Sequence, residues 1–157
     1  MARVQLALNV DDVDAAVTFY SQLFATEPAK RRPGYANFAI AEPPLKLVLI
    51  ENRGHGGSLN HLGVEVESTD EVDAEQARLT EAGLGSVDKR DSTCCYAVQD
   101  KFWVDGAPDG EQWEVYTVLA DSQTFGVDDS PTCCVESSAD TDPPEDTAPA
   151  PTPAACC

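Results

Sequence analysis

All six cysteines of the chain stand in adjacent pairs: Cys94-Cys95, Cys133-Cys134 and Cys156-Cys157. Neighbouring cysteines make strained disulfides, because the bridge must close across one peptide bond. Kept as thiols, each pair is a two-pronged soft ligand for an ion that needs two sulfurs close together, such as trivalent arsenic, cadmium or mercury. Gln5, His61 and Glu114 offer a different chemistry. An amide, an imidazole and a carboxylate converging in one cup would hold a divalent metal and leave positions open. That is the facial pattern of non-haem iron sites with a glutamine in place of one histidine. Taken singly these residues have plainer readings: a hydrogen-bonded core histidine, an unremarkable glutamine, a glutamate paired with a lysine. His55 lies in Gly54-His55-Gly56-Gly57, a flexible string that predicts an exposed side chain rather than a ligand.

The elements that must position the trio come as a repeat. Val4-Gln5-Leu6-Ala7-Leu8-Asn9-Val10 alternates like a strand with one buried face, and Asn60-His61-Leu62-Gly63-Val64-Glu65-Val66 does the same 56 residues later. Gln5 falls on His61, with small residues beside both. Leu6, Leu8 and Val10, like Leu62, Val64 and Val66, belong on the opposite side, under helices. Helical spacing predicts one helix over about 13–24, with Asp11 or Asp12 as N-cap, and a second over about 71–82, stopped by Gly83. Three strands then follow in each half, roughly 27–32, 35–41 and 45–51, and roughly 86–91, 95–105 and 111–118. The fold class is thus α+β: two βαβββ modules, about 2–52 and 58–118, forming an open curled barrel with a concave inner face. In the closing strand, Glu114 needs a partner or a metal to be tolerable among Trp113, Val115 and Tyr116. The matching strand of the first half, Leu47-Val48-Leu49-Ile50, carries no second carboxylate, so three protein ligands would leave room for dioxygen or substrate.

The 157 residues suffice for one domain of about 1–120 plus an appendage. The formal net charge of −18, from 10 Lys+Arg against 28 Asp+Glu, argues against nucleic acid and against an anionic membrane surface as partners. No signal peptide or membrane span is recognisable, and six closely paired thiols suit a reducing cytoplasm. From Asp121 onward the chain has no Lys or Arg and many prolines. That composition predicts a disordered acidic tail over 121–157, carrying two of the three cysteine pairs.

Several strings resemble the vicinal-oxygen-chelate superfamily of glyoxalases, bleomycin-resistance proteins and extradiol dioxygenases, over about residues 2–118. Arg3-Val4-Gln5-Leu6-Ala7-Leu8, Pro33-Gly34-Tyr35-Ala36-Asn37-Phe38, Leu45-Lys46-Leu47-Val48-Leu49-Ile50-Glu51 and His61-Leu62-Gly63-Val64-Glu65-Val66 look like the carbon–arsenic lyase family. The most specific string is Cys94-Cys95-Tyr96-Ala97-Val98-Gln99-Asp100-Lys101. Cadmium-induced proteins share much of this pattern. The resemblance implies an iron(II)-dependent dioxygenase that cleaves the carbon–arsenic bond of trivalent organoarsenicals, methylarsenite above all, to arsenite and formaldehyde. It implies Gln5, His61 and Glu114 as ligands of Fe(2+), and Cys94 and Cys95 as the catalytic, arsenic-binding thiols. Because adjacent strand residues point to opposite faces, the two thiols can chelate together only where the chain is irregular. Asp91-Ser92-Thr93 suggests a mobile loop there that swings arsenic over the metal. The alternatives are a metal-sequestering protein of the cadmium-induced kind, a glyoxalase-like isomerase or thiol transferase, and a drug-binding resistance protein with a vestigial cup.

Overall fold

A computed structural model of the protein describes residues 2–126. Cys133-Cys134, Cys156-Cys157 and most of the expected tail lie outside the described residues. The first module contains β1 (Arg3–Val10), α1 (Val13–Phe24), β2 (Lys30–Arg32), β3 (Tyr35–Ile40) and β4 (Leu45–Glu51). The second contains β5 (Leu59–Glu65), α2 (Thr69–Glu81), β6 (Ser86–Cys94), β7 (Ala97–Val104) and β8 (Trp113–Asp121).

Local chemistry sets the helix ends. The Asp12 side chain accepts from the amides of Asp14 and Ala15, so it caps α1. Ser68 caps α2, which therefore starts two residues before the expected position. Gly83, at φ +83°, takes the left-handed conformation that ends α2.

The eight strands form one sheet in the order β2-β3-β4-β1-β5-β8-β7-β6. Within each module the first strand pairs in parallel with the last, β1 with β4 and β5 with β8. The modules join through the antiparallel β1–β5 pair. Alternation divides the side chains as the sequence requires. Leu6, Leu8 and Val10 pack with Val13, Val17, Phe38, Leu47 and Leu49 beneath α1. Val64, Val66, Phe102 and Val115 pack with Val72 and Leu79 of α2. Gln5, Ala7 and Asn9 face the other way and are buried inside the curl of the sheet.

Two details depart from the sequence expectation. The break expected between the strands over 86–91 and 95–105 falls at Cys95-Tyr96, not at the polar stretch near Ser92. That stretch is a bulge within β6, between Lys89 and Ser92, where Asp91 adopts φ +47°. The boundary expected near Ala120 falls inside β8, and the fold continues beyond it. Phe125 packs against Tyr35 and Tyr96 with ring centroids 6.1 and 5.6 Å apart, and burial of that ring holds residues 122–126 on the body. Among the described residues, no helix is long and apolar enough to cross a membrane.

Candidate functional site

Three strands bring Gln5, His61 and Glu114 together. The register pairs Gln5 with Gly63 and Ala7 with His61 across β1–β5, and Gly63 with Glu114 across β5–β8. Gln5 and Glu114 therefore flank Gly63, and His61 lies one inward position along β5. The Gln5 amide Nε2 is 2.8 Å from His61 Nε2 and 2.8 Å from Glu114 Oε1. His61 Nε2 is 3.3 Å from Glu114 Oε1. A Cβ added at Gly63 would stand 3.1 Å from Glu114 Cγ and 3.3 Å from Gln5 Cβ. Glycine is thus the residue that lets the two side chains close on His61.

The surroundings fix the orientation and charge of these groups. His61 Nδ1 lies 2.7 Å from Asn60 Oδ1. The orientation of that amide is set by Asn60 Nδ2 donating to Asn9 Oδ1 at 2.8 Å and Asn9 Nδ2 donating to Ser58 Oγ at 2.9 Å. A carbonyl oxygen facing Nδ1 makes Nδ1 the protonated nitrogen and leaves the Nε2 lone pair facing Gln5 and Glu114. Burial alone would raise the Glu114 pKa. The Lys101 ammonium, 3.1 Å from Oε2, outweighs it and holds the carboxyl well below the usual carboxylate range. The group is a carboxylate throughout the working range. The Tyr116 hydroxyl donates to Gln5 Oε1 and also lies 3.3 Å from Glu65 Oε2.

The donor set fits a divalent cation. In the arrangement seen, the hydrogens of the Gln5 amide stand between an imidazole lone pair and a carboxylate oxygen, where a cation would sit. A half-turn of the amide would aim Oε1 at that point instead, with Nε2 turned toward the Tyr116 oxygen, which can accept as well as donate. Among the described residues no three His, Cys, Asp or Glu side chains form a metal-binding group, so any metal here depends on the amide as third ligand. His55 is exposed.

Cys94 ends β6 and Ala97 opens β7, paired across a two-residue turn made of Cys95 and Tyr96. Both turn residues have positive φ, +55° and +61°, as in a type I′ hairpin turn. Neither is a glycine or asparagine, so the turn stores strain of roughly 1–2 kcal/mol per residue. The strained turn also brings both thiols to one side, with Sγ–Sγ at 3.2 Å. That is far longer than a disulfide and close enough for one arsenic to bridge. Both cysteines are buried. The turn is held from outside: Cys95 N donates to Phe125 O at 2.6 Å and Ser122 N to Tyr96 O at 2.9 Å. Lys30, on the opposite edge of the sheet, donates to Tyr96 O at 2.9 Å. In place of a mobile loop the structure has an anchored hairpin tip, because residues 121–126 and β2 supply partners that the local sequence does not.

Cys95, Gln5 and Glu114 line one cavity of about 180 Å³, together with Lys46, Val48 and Gln99. Three neighbours of the trio escaped the sequence reading: Lys101, Tyr116 and Asn60. Lys101 and Tyr116 were accessible to it, since period-two alternation puts Tyr116 on the face of Glu114, and Lys101 on the face of Ala97 and Trp103. The Asn60–Asn9–Ser58 chain depends on cross-strand pairing and had no local signal.

Residues 3–115 match the family described as Glyoxalase/Bleomycin resistance protein/Dioxygenase superfamily, and the chain belongs to that superfamily. Within it the chain is 72% identical over 126 residues to the "Cadmium-induced protein CadI" of Mycobacterium tuberculosis, covering 80% of this chain and 82% of that one. It is 59% identical over 135 residues to the "Trivalent organoarsenical cleaving enzyme" of Thermomonospora curvata, covering 85% and 89%. Among solved structures, an extradiol ring-cleaving dioxygenase from B. fuscum aligns with a TM-score of 0.54 at 18% identity, over 77% of this chain and 34% of that one. That last likeness concerns the fold.

Proposed function

We propose that the protein is an iron(II)-dependent carbon–arsenic lyase, a dioxygenase that converts methylarsenite to arsenite and formaldehyde. The observation that carries the reading is one cavity lined by Cys95, whose Sγ is 3.2 Å from that of Cys94, and by Gln5 and Glu114, which close on His61. The 59% identity to an organoarsenical cleaving enzyme supports it. Monomethylated trivalent arsenic keeps one carbon bond and exchanges two hydroxyls, so two thiolates satisfy it. Cys94 and Cys95 are the capturing thiols. Their shared side of the hairpin tip holds the arsenic inside the cup. Gln5, His61 and Glu114 are the residues that would hold iron(II), which when bound supplies the activation of dioxygen. Asn60 keeps the His61 proton on Nδ1, and Lys101 keeps Glu114 ionised and fixed. Tyr35, Tyr96 and Phe125 pack over the dithiol and exclude water from it.

A second reading, sequestration of a thiophilic metal without catalysis, is favoured by the 72% identity to a cadmium-induced protein. Anaerobic iron reconstitution followed by arsenic speciation with and without air separates the two. Lyase activity requires arsenite to appear from methylarsenite only when air is admitted. Stoichiometric binding with the methyl group retained in air would leave sequestration standing. In the lyase, Cys94→Ser or Cys95→Ser abolishes turnover and spares iron binding, whereas His61→Ala or Glu114→Ala removes iron and spares capture of methylarsenite. Loss of both properties in both classes of variant would remove the division between the two sites.

A further inference from the structure

Gln99 has a place in the cup that the proposed chemistry does not yet use. It lies on β7, whose inward-facing positions run Ala97, Gln99, Lys101, Trp103. Ala97 pairs with Cys94 at the hairpin tip, and Lys101 holds Glu114. Gln99 is therefore midway between sulfur and trio, about 7 Å along the strand from either neighbour. The side chain is 4% exposed and lines the cavity shared by Cys95 and Glu114. Among the described residues, its Oε1 is buried and accepts no hydrogen bond. A buried amide oxygen without a donor is unfavourable unless a ligand supplies one. The Lys101 ammonium is committed to Glu114 and packs over Trp103 at 5.0 Å.

We propose that Gln99 Oε1 accepts a hydrogen bond from an arsenic-bound hydroxyl, so that the cup recognises the As–OH of dithiol-held inorganic arsenite. This rests on the assignment of Cys94 and Cys95 as capturing thiols. Methylarsenite condenses with two thiols, releasing two waters and leaving methyl as the third substituent on arsenic. Arsenite condenses in the same way, releasing two waters and leaving one hydroxyl. The methyl group offers Gln99 no donor and the hydroxyl does. The contact forms only once the carbon is gone, and it gives the inorganic product a third point of attachment where the dithiol alone supplies two. Gln99 is a specificity-determining residue that favours the product's oxygen over the substrate's carbon, and the enzyme is inhibited by arsenite through it.

The test uses the full chain without iron, with Cys133, Cys134, Cys156 and Cys157 replaced by serine so that one dithiol remains. Calorimetric titration with arsenite and with methylarsenite gives both affinities. Gln99→Met, close in shape and lacking the acceptor, is expected to weaken arsenite about 3- to 10-fold and to change methylarsenite less than about 2-fold. Gln99→Glu keeps an acceptor, and is expected to keep the ratio of the two affinities within about 2-fold of the unaltered residue. It serves as the deciding variant if Gln99→Met does not fold. Parallel weakening of both ligands, or no change in either, would overturn the role of Gln99 alone. Failure of the chain with Gln99 intact to bind methylarsenite would overturn dithiol capture and this inference with it.

Discussion

The two modules share one plan and differ at two equivalent places, and those differences make the site. Gln5 and His61 are equivalent positions 56 residues apart, so Ala7 corresponds to Gly63. Ala7 pairs with Val48 in the first module, and Gly63 pairs with Glu114 in the second. Val48 therefore stands where a second inward carboxylate would complete a four-ligand set. The β2–β3 hairpin turns through Pro33-Gly34, residues suited to a tight turn, with Gly34 at φ +68°. The equivalent β6–β7 hairpin turns through Cys95-Tyr96, which are not. The two tips meet at the mouth of the cup, where the Tyr96 hydroxyl lies 3.4 Å from Pro33 O. One module keeps its turn relaxed and has an apolar valine at the place equivalent to Glu114. The other accepts a strained turn to aim two sulfurs and a buried charge to complete the trio.

Making the modules alike should have the largest effect. Val48→Glu restores a carboxylate at the equivalent place, and we expect iron to be retained while methylarsenite turnover falls about 100-fold or more, because a fourth protein ligand occupies a position the reaction needs. Iron content and arsenic speciation read it directly. Turnover near the unaltered level would mean that Val48 does not face the metal. Asn60→Leu removes the acceptor that holds His61 in one tautomer, with an expected loss in iron affinity of about 10- to 100-fold. Anaerobic iron titration checks this, and an unchanged affinity would leave the asparagine chain a purely structural feature.

Gly63→Ala puts a methyl group 3.1 Å from Glu114 Cγ. A several-fold weaker iron site is expected, since Glu114 must give way by tenths of an ångström, and Ala7→Gly at the equivalent position should leave the metal affinity unchanged. The smallest effect concerns acid stability. Burial raises the Glu65 pKa, but the Arg3 hydrogen bond at 2.8 Å and the Lys46 charge outweigh it and hold it below the usual range. Its folded pKa is below its unfolded one, so its contribution to stability is present above the ordinary carboxylate pKa and lost as pH falls through the depressed value. Arg3→Met should shift the onset of acid unfolding to higher pH, as followed by circular dichroism.

Alternation and helical spacing depend on neighbours in the chain, and such features were legible from the amino acids alone. The bounds of α1, the inward placement of Gln5, His61 and Glu114, the duplicated βαβββ plan and the single carboxylate of the closing strands all belong to that class. They follow from periods of two and 3.6 residues, which the backbone imposes wherever a strand or helix forms. Cross-strand features were not legible. Cys95 and Tyr96 have no intrinsic preference for the left-handed conformation, so nothing local marks them as a turn. The β6–β7 register and the partners from Phe125, Ser122 and Lys30 place them there. The closeness of Gly63 to Glu114, the asparagine chain behind His61 and the unpartnered oxygen of Gln99 likewise arise only when distant strands pair. Burial then turns ordinary side chains into a converging polar trio, because inside the curled sheet a polar atom must find a specific partner that water would otherwise provide.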